Sequence, residues 1–409
     1  MAFFDSIGKP DVQKLENRQD ISGLIKALKY KDHKVRDAAE QALIKIGSPA
    51  VEPIIAVLPD EDIRSRTFNI LGEIGDRRAT EALLAYLNKK SPHEDYVSYF
   101  FRMDAARALG KIGDPRAAGP LTQALDDEHF EVIDEAYAAL RNLGLPAGEC
   151  LLPMLQNQKP ALRQRAAELL GMINDSRAFK PLLMLLSDED QGVRKAAAEA
   201  LGRLGNPAAI PALTGLIRDK FAVSRESAFE AIWKMGKPDT SPLVDVLEAD
   251  PEPYPGCRRL ACEQLGKIGE PAVVGPLLKY FSIIQWNQYV GRSWLREDRD
   301  PLLKTLSSLS IPNNELFIEA MLSEDPKIRY AAAVVLDSEK IAQGFVVMGL
   351  EKKMEGGDVE IKLKTIRALR NFPAEIVSPV LSSAEKSPDL QIAKAAEEAL
   401  NWVKQQKEQ

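Results

Sequence analysis

Apolar positions recur at helical spacing along most of the chain, in pairs of segments separated by short polar turns. In the stretch from Val193, the residues Val193, Ala197, Leu201 and Leu204 fall on one helical face, and polar side chains cover the other. The same pattern recurs in VRDAAEQALIKIGSPAVEPIIAVL from Val35, RMDAARALGKIGDPRAAGPLTQAL from Arg102 and CRRLACEQLGKIGEPAVVGPLLKY from Cys257. Gly47, Gly75, Gly113, Gly144, Gly205, Gly236 and Gly269 close one helix of each unit, with Asn174 taking one turn. These two residue types tolerate the left-handed angles that end a helix. Proline or aspartate follows, as at Pro49, Asp114, Pro207 and Pro271, and prevents continuation. A second proline column (Pro53, Pro120, Pro153, Pro181, Pro211, Pro242, Pro276) stands in the first turn of the other helix, where a missing N–H costs nothing.

A period near 30 residues with two helices per unit predicts an all-α solenoid, a right-handed superhelix of about twelve two-helix units. Regular units run over 20–309 behind a capping segment at 1–19, and degenerate units with a polar cap fill 310–409. Three units carry extra residues between their two helices: 88–101, 248–257 and 281–298. Insertions at one point of a repeat map to one edge of a solenoid, often the binding edge. The first and third are rich in aromatics. Tyr96, Tyr99, Trp286, Tyr289, Arg292, Trp294 and Arg296 are therefore the candidate binding residues, because Tyr, Trp and Arg dominate interface hot spots. Phe100, Phe101 and Phe281, at helix margins, are expected to pack.

An arginine stands seven residues before the repeat leucine in most units: Arg36, Arg64, Arg102, Arg163, Arg194, Arg225, Arg258, Arg299 and Arg329. Ile133, Lys362 and Ala393 break the column. Upstream carboxylates such as Asp32, Asp62, Asp190 and Asp325 precede it, so we expect an internal Asp–Arg ladder rather than a basic stripe for an anionic partner.

At this point the units resemble HEAT repeats, of the short subtype known from phycobilisome lyases; the columns VR-x-AAAEALG and G-x-P-x-A carry the resemblance. It implies the solenoid fold, and it is shared by bilin lyases, metal-dependent hydroxylases and many scaffolds. The deoxyhypusine hydroxylases of this class bind two irons through paired His-Glu motifs. Here His93-Glu94 is a single such dipeptide inside an insertion, and the three histidines (His33, His93, His129) do not supply that ligand set.

Composition narrows the function further. The 409 residues carry a net charge of -6, which gives no global positive field for nucleic acid. Cys150, Cys257 and Cys262 form neither a disulfide framework nor a metal corner, and the first twenty residues reach charges before a signal-length apolar run. The expectation is a cytoplasmic chain, outside the membrane, with no catalytic residues, metal or cofactor. It binds another protein along its concave face and insertion edge. The alternative implied by the resemblance is a bilin-lyase-like protein that attaches or handles a phycobiliprotein chromophore, with bilin as its ligand.

Overall fold

In the computed structural model, residues 9–88, 98–236, 240–248, 257–289, 296–310, 312–338 and 340–406 are described. The side chains of 248, 283–289, 296–301, 338, 340–342 and 406 lie outside that description. Among the described residues there are helices and turns but no strands. Packing divides the chain into two compact units, Met1–Leu213 and Thr214–Gln409.

In the first unit, short helices alternate with longer ones. The short ones are Val51–Ala56, Thr80–Leu87, Ala118–Ala124, Leu145–Leu151 and Phe179–Leu185. The longer second helices are His33–Ile46, Arg64–Ile74, Ser98–Ile112, Phe130–Leu143, Pro160–Met172 and Gln191–Leu204. Each second helix packs on the second helix of the next repeat as well as on its own partner. The repeat leucines Leu43, Leu71, Leu109, Leu140, Leu170 and Leu201 are fully buried in these seams. Burial of each contributes roughly 1.5–3 kcal/mol.

The turns follow from the residues that close them. Gly75 adopts φ 72°, and Asn174 reaches φ 56°, the asparagine substitution the sequence pattern anticipates. After the closure, Asp76, Asp114, Asp175 and Asn206 each cap a one-turn 3-10 helix by accepting from the backbone N–H two residues on. That satisfies a donor which would otherwise be left open at the start of the next helix pair.

A second glycine column sets the distance between repeats. A methyl group on Gly110 would stand 2.7 Å from Cβ and 2.8 Å from Cα of Ala139 in the next second helix. Gly72 meets Ala108, and Gly171 meets Ala200, in the same way. Backbone thus lies against backbone at these joints. Larger side chains would force the repeats apart.

The second unit continues with Ala222–Met235, Ser241–Glu248, Cys257–Ile268, Val274–Tyr289, Arg296–Ser310, Asn314–Met321, Pro326–Ser338, Lys340–Gly356, Val359–Leu369, Ala374–Ala384 and Leu390–Gln406. Residues 281–289, the start of the longest insertion, prolong the helix that begins at Val274. At the N-terminus, the helix Val12–Asn17 lies against His33–Ile46 over a cleft of about 510 Å³ lined by Val12, Glu16, Ala38 and Ala42. The passage from regular to degenerate repeats at 309/310 is one of sequence regularity, whereas packing separates the units at 213/214.

Candidate functional site

The arginine column points inward. Arg64, Arg102, Arg163, Arg194 and Arg225 are all buried, Arg102 to 1% exposure. Main-chain carbonyls take a large share of the hydrogen bonds of this column, beside the expected carboxylates. Arg36 donates to the carbonyls of Tyr30 and Lys31, Arg64 to Leu58 and Pro59, Arg194 to Asp188 and Glu189, Arg225 to Asp219, and Arg329 to Ser323 and Glu324. These carbonyls follow the end of each short helix, where the backbone is electronegative and a guanidinium is stabilising. The upstream aspartates act otherwise. Asp32 and Asp190 cap the second helices through backbone N–H groups, Asp325 accepts from the Lys327 N–H, and Asp62 lies 3.9 Å from Lys29.

Carboxylate pairing does occur, upstream at Arg64, whose Nη2 lies 3.6 Å from Glu61, and downstream across the repeat boundary at Arg102 and Arg163. Arg102 holds Asp127 through Nε at 2.9 Å and Nη2 at 3.0 Å, and Arg163 holds Asp188 at 2.8 and 2.7 Å. In both cases the acid belongs to the loop of the following repeat, so the fork ties neighbours together. Asp188 is held below its usual pKa, with burial opposing and Arg163 and the Asp190 N–H favouring the charged form. Arg258 lies 5.4 Å from the Tyr280 ring centroid. Arg299 is on the helix Arg296–Ser310, and its side chain lies outside the description.

Around Arg102 the loop edge is built of aromatics. Phe101 lies under the Arg64 guanidinium at 4.3 Å and meets Phe68 edge-on at 6.5 Å. Tyr99 stacks on Phe100 with centroids 4.3 Å apart and leans on His129 at 4.3 Å. Asp127 accepts the His129 backbone N–H at 3.0 Å while it receives Arg102. Arg102, Asp127, His129 and Tyr99 therefore fix an elbow between two repeats. Phe130 projects from it, 68% exposed, at the start of the helix Phe130–Leu143.

Tyr99 is thus buried at 7% exposure and supports the edge from within, a correction to its place among the contact candidates. It sits in the first turn of a helix, where its ring covers the next repeat. Tyr96, Arg292 and Trp294 lie outside the described residues, as do His93 and Glu94. Trp286 and Tyr289 are on the helix Val274–Tyr289 and Arg296 opens the next, with side chains outside the description. The edge residue that sequence reasoning missed is Phe130. Its signal is an apolar residue at the first helical position, directly after a polar loop.

Also missed is a second set of arginines, in the turn motif Asp-x-Arg-Ala. Arg78 clasps Asp76, Arg116 clasps Asp114 and Arg177 clasps Asp175, each with an Nη2 contact of 2.6 to 2.7 Å. Arg78 and Arg116 also reach back to the carbonyls of Ser48 and Arg77 in the preceding turn. The Arg116 side chain holds the Asp114 carboxyl down at about 2, with help from the Arg116 N–H and Thr80. These clasps are structural: every cation has its carboxylate beside it.

Among the described residues no three His, Cys, Asp or Glu side chains gather as a metal ion requires, and no helix is long and apolar enough to cross a membrane.

A family model for HEAT repeats matches residues 51–141 and 149–233. Over 83 residues the chain is 36% identical to phycocyanobilin lyase subunit alpha from Picosynechococcus sp.; the match spans 19% of this chain and 31% of that subunit. Among solved structures, the CpcE–CpcF complex of phycocyanin lyase from Nostoc sp. PCC7120 is 22% identical with a TM-score of 0.28, over 63% of this chain and 94% of that one. Human deoxyhypusine hydroxylase is 23% identical with a TM-score of 0.26, over 55% of this chain and 99% of that one. At these identities the likeness to solved structures is one of fold alone. The matched residues 51–141 and 149–233 are thus HEAT repeats, and they carry the glycine closures and stacked helix pairs described above.

Proposed function

We propose that the chain is a non-catalytic scaffold that holds another protein along the loop edge and second-helix face of its repeats. The observation that carries this reading is Phe130, an exposed aromatic set on an elbow that Arg102, Asp127 and Tyr99 hold rigid. A large side chain presented without conformational cost is the usual anchor of an interface. The aromatics of 281–298 fall, in the sequence, at the corresponding point of a later repeat.

The test is capture of partners from source-organism lysate by three proteins: wild type, Phe130→Ala, and a chain whose residues 282–297 are replaced by a Gly/Ser loop. Loss of an anchor weakens binding by about 2 kcal/mol, roughly thirtyfold. A partner retained equally by all three would remove the edge from the account.

The 36% identical stretch favours a second reading, a bilin-lyase-like protein that handles an open-chain tetrapyrrole. Visible absorbance of the same eluate separates the two. A coloured eluate containing a phycobiliprotein places the lyase reading first; a colourless one with a stable partner favours the scaffold.

A further inference from the structure

In the first unit, charges on the solvent side of the second helices neutralise one another across repeats. Arg66 bridges Asp37 at 2.9 Å and Glu40 at 2.6 Å, Lys111 meets Glu73 at 2.6 Å, and Arg107 bridges Asp104 at 2.9 Å and Glu135 at 2.7 Å. Each of these three cations has at least one carboxylate within 3 Å.

The last three second helices of the other unit, Pro326–Ser338, Val359–Leu369 and Leu390–Gln406, are arranged differently. Lys364 at 3.1 Å and Arg367 at 3.4 Å share one carboxylate, Glu324, which is itself 68% exposed. Lys364 also meets Glu360 in the previous turn at 2.8 Å. Burial and the nearby Arg367 charge together hold the Arg329 pKa below its usual value, as expected where cations crowd. Arg370 lies 5.3 Å from the Trp402 ring centroid and pairs with no carboxylate among the described residues.

Aromatics flank these cations. Tyr330 is 56% exposed and Trp402 45%. Tyr330, Arg367 and Trp402 stand one, five and nine residues after the arginine-column position of their respective repeats, at Arg329, Lys362 and Ala393. Those offsets fall on one face of a helix, so the three side chains occupy the same solvent-facing side of their respective repeats.

We propose that this face binds a short acidic segment of a protein partner, whose carboxylates replace Glu324 on Lys364 and Arg367 and whose apolar residues lie on Tyr330 and Trp402. The proposal rests on the reading of the chain as a protein-binding solenoid and adds a second surface and the chemistry of its ligand. Guanidinium forks match carboxylates, and a half-exposed counterion is readily displaced. Glu324, Glu360 and Glu398 interrupt the patch, which disfavours the continuous phosphate backbone of a nucleic acid.

The test is fluorescence anisotropy of a fluorescein-labelled peptide of Asp, Glu and Leu with the full chain at low salt, beside a single-stranded oligonucleotide of equal charge. The peptide should bind wild type, weaken as salt rises, and lose more than about tenfold with Lys364→Gln plus Arg367→Gln or with Trp402→Ala. Unchanged melting temperatures identify these as surface effects. Absence of peptide binding to wild type overturns the proposal, as do equal binding by folded variants and preference for the oligonucleotide. If the Lys364→Gln, Arg367→Gln chain still captures every lysate partner of wild type, this inference fails while the scaffold reading stands. If wild type captures none, both fail.

Discussion

Gly110→Val lowers the stability of the first unit by about 3 kcal/mol, a large effect for a substitution that removes no contact. The added side chain begins 2.7 Å from Cβ and 2.8 Å from Cα of Ala139, and neither atom belongs to a flexible tip that can turn away. The helices Ser98–Ile112 and Phe130–Leu143 must separate, and repeats stabilised by their neighbours lose the shared seam. Gly119→Ala is the control. Its new methyl meets only Cys150 Sγ at 4.0 Å, so relief of glycine's backbone entropy should leave stability unchanged or raise it by about 0.5 kcal/mol. Urea unfolding followed by circular dichroism reads both. A Gly110→Val chain with the wild-type midpoint would mean that the joint is looser than the distances require.

Arg102→Met is expected to cost about 3–5 kcal/mol, because it leaves the Asp127 carboxylate without its cation in a buried place. The two side chains are only 2% and 4% exposed. Adding Asp127→Leu should recover much of the loss, since a well-packed apolar pair replaces a buried ion pair at little net cost. Arg78→Met, at a half-exposed clasp, should cost far less, because solvent screens that pair. A double-mutant cycle at 102 and 127 measures the coupling. Near-zero coupling would contradict the assignment of this pair as the tie between repeats. The same substitution releases the His129 elbow, so Phe130 should also lose its fixed position.

How far the sequence carried this account depends on the kind of residue. Helix closures were legible because Gly75 and Asn174 do something few other residues can do, and the repeat leucines because burial imposes a period. The arginine column was legible as internal, yet its acceptors were not. Main-chain carbonyls such as Leu58 and Pro59 have no signature in a sequence, and Asp32 and Asp190 had a competing use as helix caps. Gly72, Gly110 and Gly171 passed unread because a glycine inside a helix declares its reason only when the facing backbone is known. Tyr99 illustrates the limit for surface sites. An aromatic beside an insertion reads as available for contact, and only its neighbour His129, thirty residues on, reveals that it is covered. Phe130 is the reverse case, an ordinary apolar residue in the pattern that the fold leaves outside.

The most direct test of the scaffold reading is hydrogen exchange of the full chain, free and bound to its captured partner. The account predicts slowed exchange in the segments around 98–102 and 127–132, with the buried seams of the first unit unchanged. Protection confined to other surfaces, with these segments exchanging as in the free chain, would contradict it.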